Sequence, residues 1–173
     1  MLGLGETAFL ACAELGLAFG VVGAVAELEE RLRANIDGYG LRRRLAGFAY
    51  LEDGPALVRQ ALEGEPGPFL ARFEETAREV ARLGARVIIP GEGLPNEVLF
   101  GAGVDEAGGV PILDINGLLL RVAQHQAELR SLGLWQPPAE GAHRPLPEGE
   151  RDRLFALFAP PTIARPGPAA DIA

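Results

Sequence analysis

Apolar positions along the first three quarters of the chain switch repeatedly between two periods. Phe19-Gly-Val-Val-Gly-Ala-Val25 is a continuous run of apolar and glycine residues, the pattern of a strand covered on both faces. Leu45–Leu51, Val87–Ile89 and Val110–Asp114 are three further short runs that read as strands. Between them the period lengthens to that of a helix. The spacing predicts helices over Glu6–Leu17, Ala26–Ile36 and Pro55–Leu62, then over Phe69–Leu83, from about Pro95 to Phe100, and from about Asn116 to Leu132. Gly16, Gly84 and Gly133 stand where three of these should stop. Four strands alternating with helices across short turns specify an α/β fold. Its core is a parallel, four-stranded, flavodoxin-like sheet with helices on both faces, because right-handed crossovers leave no simpler arrangement.

The texture changes after Trp135. The alternating domain is expected over 1–135, a proline-rich linker over 136–147, one more amphipathic helix over 148–158 and a flexible tail over 159–173. The length of 173 residues is enough for one sizeable core. A net charge of −8 and a pI near 4.8 argue against nucleic acid as a partner, since phosphate binding draws on a basic face. Every cationic side chain apart from the two histidines is arginine; without lysine, Schiff-base chemistry and a Walker-type phosphate loop are both excluded. Cys12 is the only cysteine and lies in an apolar helical run, which fits a buried structural thiol and a reducing, cytoplasmic setting. No stretch of 18 apolar residues occurs, so no membrane-spanning helix is expected. His125 and His143 have no second ligand at metal-binding spacing, and neither a metal nor a cofactor is expected.

In a parallel sheet, ligands gather at the carboxyl ends of the strands. Those ends are Gly23-Ala24, the segment around Leu51–Asp53, Pro90-Gly-Glu-Gly93 and Asp114-Ile-Asn116. Glu92 and Asp114 bring carboxylates to them. A carboxylate partly withdrawn from water has its pKa raised, as a general base working near neutral pH requires. Asp114 is equally suited to capping the following helix. For Glu92 the competing reading is a solvated turn residue, and for Asn96 an exposed helix position in place of a group that orients Glu92 or binds a substrate oxygen. The Gly3-Leu-Gly5 fragment and the Gly101–Gly109 loop resemble nucleotide-binding loops only in composition.

Four segments in this order resemble the aspartate/glutamate/hydantoin racemase superfamily. Gly3-Leu-Gly-Glu-Thr-Ala-Phe-Leu-Ala-Cys-Ala-Glu-Leu-Gly16 is similar to the helix that opens the second half of hydantoin racemase-like proteins, and Phe19–Val25 to the strand after it. Ala85-Arg-Val-Ile-Ile-Pro-Gly-Glu-Gly93 is similar to the segment that brings in the second catalytic cysteine. Gly109-Val-Pro-Ile-Leu-Asp114, with the helix ending at Leu132-Gly-Leu134, resembles the closing strand and helix.

The resemblance implies half of a two-domain racemase-like fold. It also implies a cofactor-independent isomerase that moves a proton at a carbon next to a carboxylate or carbonyl. The substrate would be a small carboxylate or amino-acid-like molecule. Carried over by position, Glu92 takes the place of the second cysteine as acid/base, and Asp114 matches the strand-end aspartate. Asn96 would support them, with the Gly91 and Gly93 amides holding a carboxylate. The resemblance begins at the family's second half, so a truncated and weakly active form, covering an apolar face as a homo-oligomer, is expected. The alternative is a non-catalytic ligand-binding or oligomerization domain on the same fold.

Overall fold

A computed structural model of the chain describes residues 3–134 and 146–158. Of these, residues 3–134 belong to one compact unit. Its centre is β1 (Phe19–Gly23), buried at all five positions. Strand β1 pairs in parallel with β2 (Leu45–Tyr50) on one side and with β3 (Val87–Pro90) on the other, giving the order β2-β1-β3. Side chains leave a strand alternately to opposite faces, and two cores follow from that alternation. Phe19 and Val21 of β1, with Val87 and Ile89 of β3, join Phe9 and Cys12 of helix α1 (Leu4–Glu14). Ile36 of α2 (Glu29–Gly38) and Ile115 of α6 (Ile115–Ser131) complete that core. Val22 and Ile88 face the other way, onto α3 (Gly54–Leu62), α4 (Gly67–Arg82) and α5 (Gly93–Gly101), where Val58, Phe73, Val80 and Leu99 are buried. Burial pushes the Cys12 thiol up to about 11, so it stays protonated and inert at neutral pH.

The sheet has three strands where four were expected. Val110–Pro111 forms a short strand, β5, but it pairs antiparallel with β4 (Glu106–Ala107), inside the segment expected to be a glycine loop. Pro111 has no N–H to give a ladder, and the Ile112 amide goes to the Asp105 carbonyl at 2.8 Å. What is left of a fourth strand is a single parallel bridge between Ile88 and Ile112, with the Leu113 amide donating to the Ile88 carbonyl at 2.8 Å. Helix α5 begins two residues before its expected start, because proline in a first turn lacks only an N–H that has no helical partner anyway. In the other unit, α7 (Glu148–Phe158) is helical. The expected tail, and the linker apart from 146 and 147, lie outside the described residues.

Two glycines let backbone pack on backbone or on helix. A Cβ on Gly20 would stand 2.6 Å from the Val80 Cβ, so α4 lies directly on β1 there. A Cβ on Gly54 would stand 2.3 Å from the Ala24 carbonyl oxygen, which fixes the start of α3 against the exit of β1. The preceding residue, Asp53, turns the chain through the left-handed region at φ 56°, a conformation aspartate tolerates better than most residues. Gly54→Ala is therefore expected to destabilise the protein by about 1–3 kcal/mol despite alanine's better helix propensity. Gly38→Ala, where no atom crowds the added methyl, is expected to stabilise it by roughly 0.5–1 kcal/mol. Urea unfolding of the two variants checks both signs.

Candidate functional site

The carboxyl ends of the three strands meet around Glu92. Strand β3 ends at Pro90, and the Gly91 amide still donates to the Val22 carbonyl of β1 at 2.8 Å. A Cβ on Gly91 would lie 3.1 Å from the Gly23 Cα, so the two strands close on each other with main chain alone. Glu92 is the extended residue before α5 (φ −140°, ψ 160°), but its carboxylate does not cap that helix. It turns back across the sheet. Oε2 accepts from the Ala24 amide and Oε1 from the Val25 amide, each at 3.0 Å. Both donors belong to the turn that leaves β1. Burial raises the Glu92 pKa above the ordinary carboxylate value, while the two amide bonds, which favour the ionised form, pull in the opposite direction.

Around this carboxylate opens a cleft of about 560 Å³, within the size range of small-molecule sites. Ala24 and Val25 line it from β1, Pro55 and Val58 from α3, and Gly93 and Leu94 from the start of α5. Glu97 and Asn116 supply the polar rim, and the Asn116 amide donates to the Gly93 carbonyl at 3.1 Å and to the Glu97 carboxylate. None of the described lining residues is cationic.

Of the other sequence-derived site residues, Asn96 and Asp114 lie behind this wall. Asn96 is 1% exposed, which overturns the exposed-helix reading. Its Nδ2 donates to Asp114 Oδ1 at 2.9 Å, and its Oδ1 accepts from the Ile115 amide at 2.9 Å. Asp114 caps α6 by accepting from the Gly117 amide at 2.9 Å. An added Cβ on Gly117 would sit 2.2 Å from Asp114 Oδ2, so the cap requires glycine at that position. Asn96 and Asp114 thus tie the first turn of α5 to the first turn of α6, and the wall of the cleft is held by that tie. The Gly91 amide is taken up within the sheet. Gly93, at the first helical position of α5, lines the cleft and has an N–H without an intrahelical acceptor.

Sequence reasoning missed Tyr50. Its ring lies over Gly23, where an added Cβ would be 2.7 Å from Tyr50 Cε1 and 3.4 Å from Glu92 Oε1. The hydroxyl is buried with no hydrogen-bond partner among the described residues. Burial raises its pKa first. The negative charges of Glu29 and Glu92 add to that rise, and Arg33 opposes it. Glu29 acts on the hydroxyl without completing a hydrogen bond; its carboxylate holds Arg33 Nε at 2.6 Å, and that guanidinium lies 4.5 Å above the Phe48 ring. A tyrosine closing an apolar strand carries no signal of this placement. The Ala24 and Val25 amides carried none either, since main chain is common to every residue.

The model of the Asp/Glu/hydantoin racemase family matches residues 1–123. The chain belongs to the Asp/Glu/hydantoin racemase family. Among solved structures, allantoin racemase from Klebsiella pneumoniae shares the fold with a TM-score of 0.59 at 17% identity, over 85% of this chain and 57% of that one. The chain therefore spans little more than half the length of that racemase. No curated protein matches the chain by sequence. The racemase-family fold accounts for the parallel sheet with helices on both faces; Glu92, Gly93 and the β1 exit are the parts of it that meet in the cleft.

Asn96→Ala removes both bonds of the α5–α6 tie and leaves the buried Ile115 amide without an acceptor. A loss of about 2–4 kcal/mol is expected in urea unfolding, against less than about 1 kcal/mol for Asn116→Ala at the rim. The Glu92 carboxyl should titrate above 4.5 when followed by carbon-13 NMR. With its folded pKa above the unfolded one, its contribution to stability is full below the unfolded value and is lost as pH rises through the folded value. Glu92→Gln should flatten that part of the stability–pH curve; a titration midpoint at or below 4.5 would show the two amide bonds outweighing burial.

Proposed function

We propose that the chain is a racemase-family proton-transfer domain in which Glu92 is the acid/base group. Its substrate is a small molecule with an acidic carbon next to a carboxylate or carbonyl. The observation that supports this is a single carboxylate, raised in pKa by burial, held rigidly at a strand end on the wall of a ligand-sized cleft. In the proposed step the C–H bond breaks, the proton goes to a Glu92 oxygen, and the electron pair moves onto the neighbouring carbonyl oxygen. The start of α5 suits that developing charge, because the Gly93 and Leu94 amides have no intrahelical acceptors and the helix dipole is positive there. Asn96 and Asp114 act as positioning residues, keeping that helix end in place. Gly91 acts through its missing side chain, which lets the β3 exit approach β1.

Glu92 reaches a substrate from one side. A single base returns the proton to the face it left, so exchange with solvent is expected to outpace inversion. A second reading rests on the two amide bonds: Glu92 as a clamp that orders the β1 exit in a non-catalytic ligand-binding or oligomerization domain.

Incubating the protein in D2O with single enantiomers of aspartate, glutamate and hydantoins separates the two readings. Proton transfer predicts deuterium at the acidic carbon with configuration retained for at least one of them, and a fall of roughly 100-fold or more in Glu92→Gln. Exchange that persists unchanged in Glu92→Gln, or its absence with every compound while that variant loses stability alone, favours the clamp.

A further inference from the structure

At the exit of β1 the molecule already holds a carboxylate of its own, that of Glu92. The Ala24 and Val25 amides are adjacent and follow β1 directly, Val25 being the residue that leads into a short 3-10 turn at Ala26–Leu28, and both aim at a single anion, one oxygen each at 3.0 Å. Two convergent backbone amides form a concave anion receptor, as in other nests of successive N–H groups. The receptor is rigid because its supports are main chain. The Gly23 carbonyl accepts from the Leu51 amide at 2.9 Å, and the Ala24 backbone lies against Gly54. It also opens on the cleft, which Ala24, Val25 and Glu92 line together.

We propose that the Ala24–Val25 amide pair is a subsite for small carboxylates, and that Glu92 fills it from within as a tethered competitor. Binding of an external carboxylate and docking of Glu92 are mutually exclusive, so the intact chain takes free carboxylates poorly at this position. Tethering explains why the internal group wins: Glu92 is held next to the amides by β3, at an effective concentration no dissolved anion matches. The fit is chemical as well as geometric, since a carboxylate has an oxygen for each of the two donors and the described lining offers it no cation. The assignment holds whether or not Glu92 also moves a proton, so it fails or stands separately from the exchange experiment.

The test is a titration of the full chain with sodium acetate at constant ionic strength, read from the nitrogen-15 and proton shifts of the Ala24 and Val25 amides. Glu92→Ala should show saturable shifts at these two amides, with an affinity at least about tenfold above wild type, and its thermal midpoint should rise with acetate and not with chloride. Glu92→Gln keeps one acceptor oxygen and should bind acetate more weakly than Glu92→Ala. It also serves if the alanine variant does not fold, since it should still bind above wild type. Saturable shifts of equal affinity in wild type would overturn the competition. Absence of saturation at the two amides in folded Glu92→Ala, or in Glu92→Gln where that variant replaces it, would overturn the subsite.

Discussion

A side chain from one strand end, bonded to the main chain of its neighbour, organises this molecule's working edge. Glu92 leaves β3 and is caught by two amides of the turn after β1. Parallel strands are joined by ladders along their length, but beyond the last ladder bond they are free to diverge. Here the carboxylate continues the connection past the Gly91–Val22 bond, at the point where α5 and α3 begin. A charge-assisted pair of hydrogen bonds in a half-buried setting is among the stronger links a polar group can make. It fixes the carboxylate's position and the path of the turn together. Burial and hydrogen bonding act on the same proton in opposite senses, with burial the larger of the two.

A second polar link stands behind the first. Asn96 bonds Asp114 and the Ile115 amide, and Asp114 in turn caps α6. Every heavy polar atom of the Asn96 side chain is used, which is how a buried amide avoids a desolvation penalty. The link sets where α5 starts relative to α6, and thereby where Gly93 and Leu94 stand in the cleft wall.

Much of the fold was legible because its strongest constraints are periodic. The unbroken apolar run at Phe19–Val25 could only be a strand covered on both faces, and it proves to be the central one. The 69–83 pattern located α4 to within two residues at its start. The fourth strand was misread because Val110–Asp114 has the composition of a strand, while its fate turns on one missing N–H at Pro111 and on a competing acceptor at Asp105. Glu92 was found from its place after a short β-rich run. Its partners were not, because the Ala24 and Val25 amides are main chain and Tyr50 lies on a strand far away in sequence. Asn96 was legible as a residue of interest, yet the choice between substrate contact and helix tie depends on a tertiary approach to Asp114 that spacing does not encode.

The close approach of Gly91 to Gly23, and of Gly54 to the Ala24 carbonyl, has an evolutionary side. Where strands and helix touch through backbone, the floor of the cleft is nearly the same shape for any sequence that keeps those three glycines. Side-chain drift elsewhere in the core alters stability before it alters that floor. The side chains of Val25, Pro55, Leu94 and Glu97 line the cleft without taking part in those backbone contacts, so a substitution there changes what is presented without disturbing what holds it. A cleft built this way separates the positions whose backbone contacts set its shape from those whose side chains only line it.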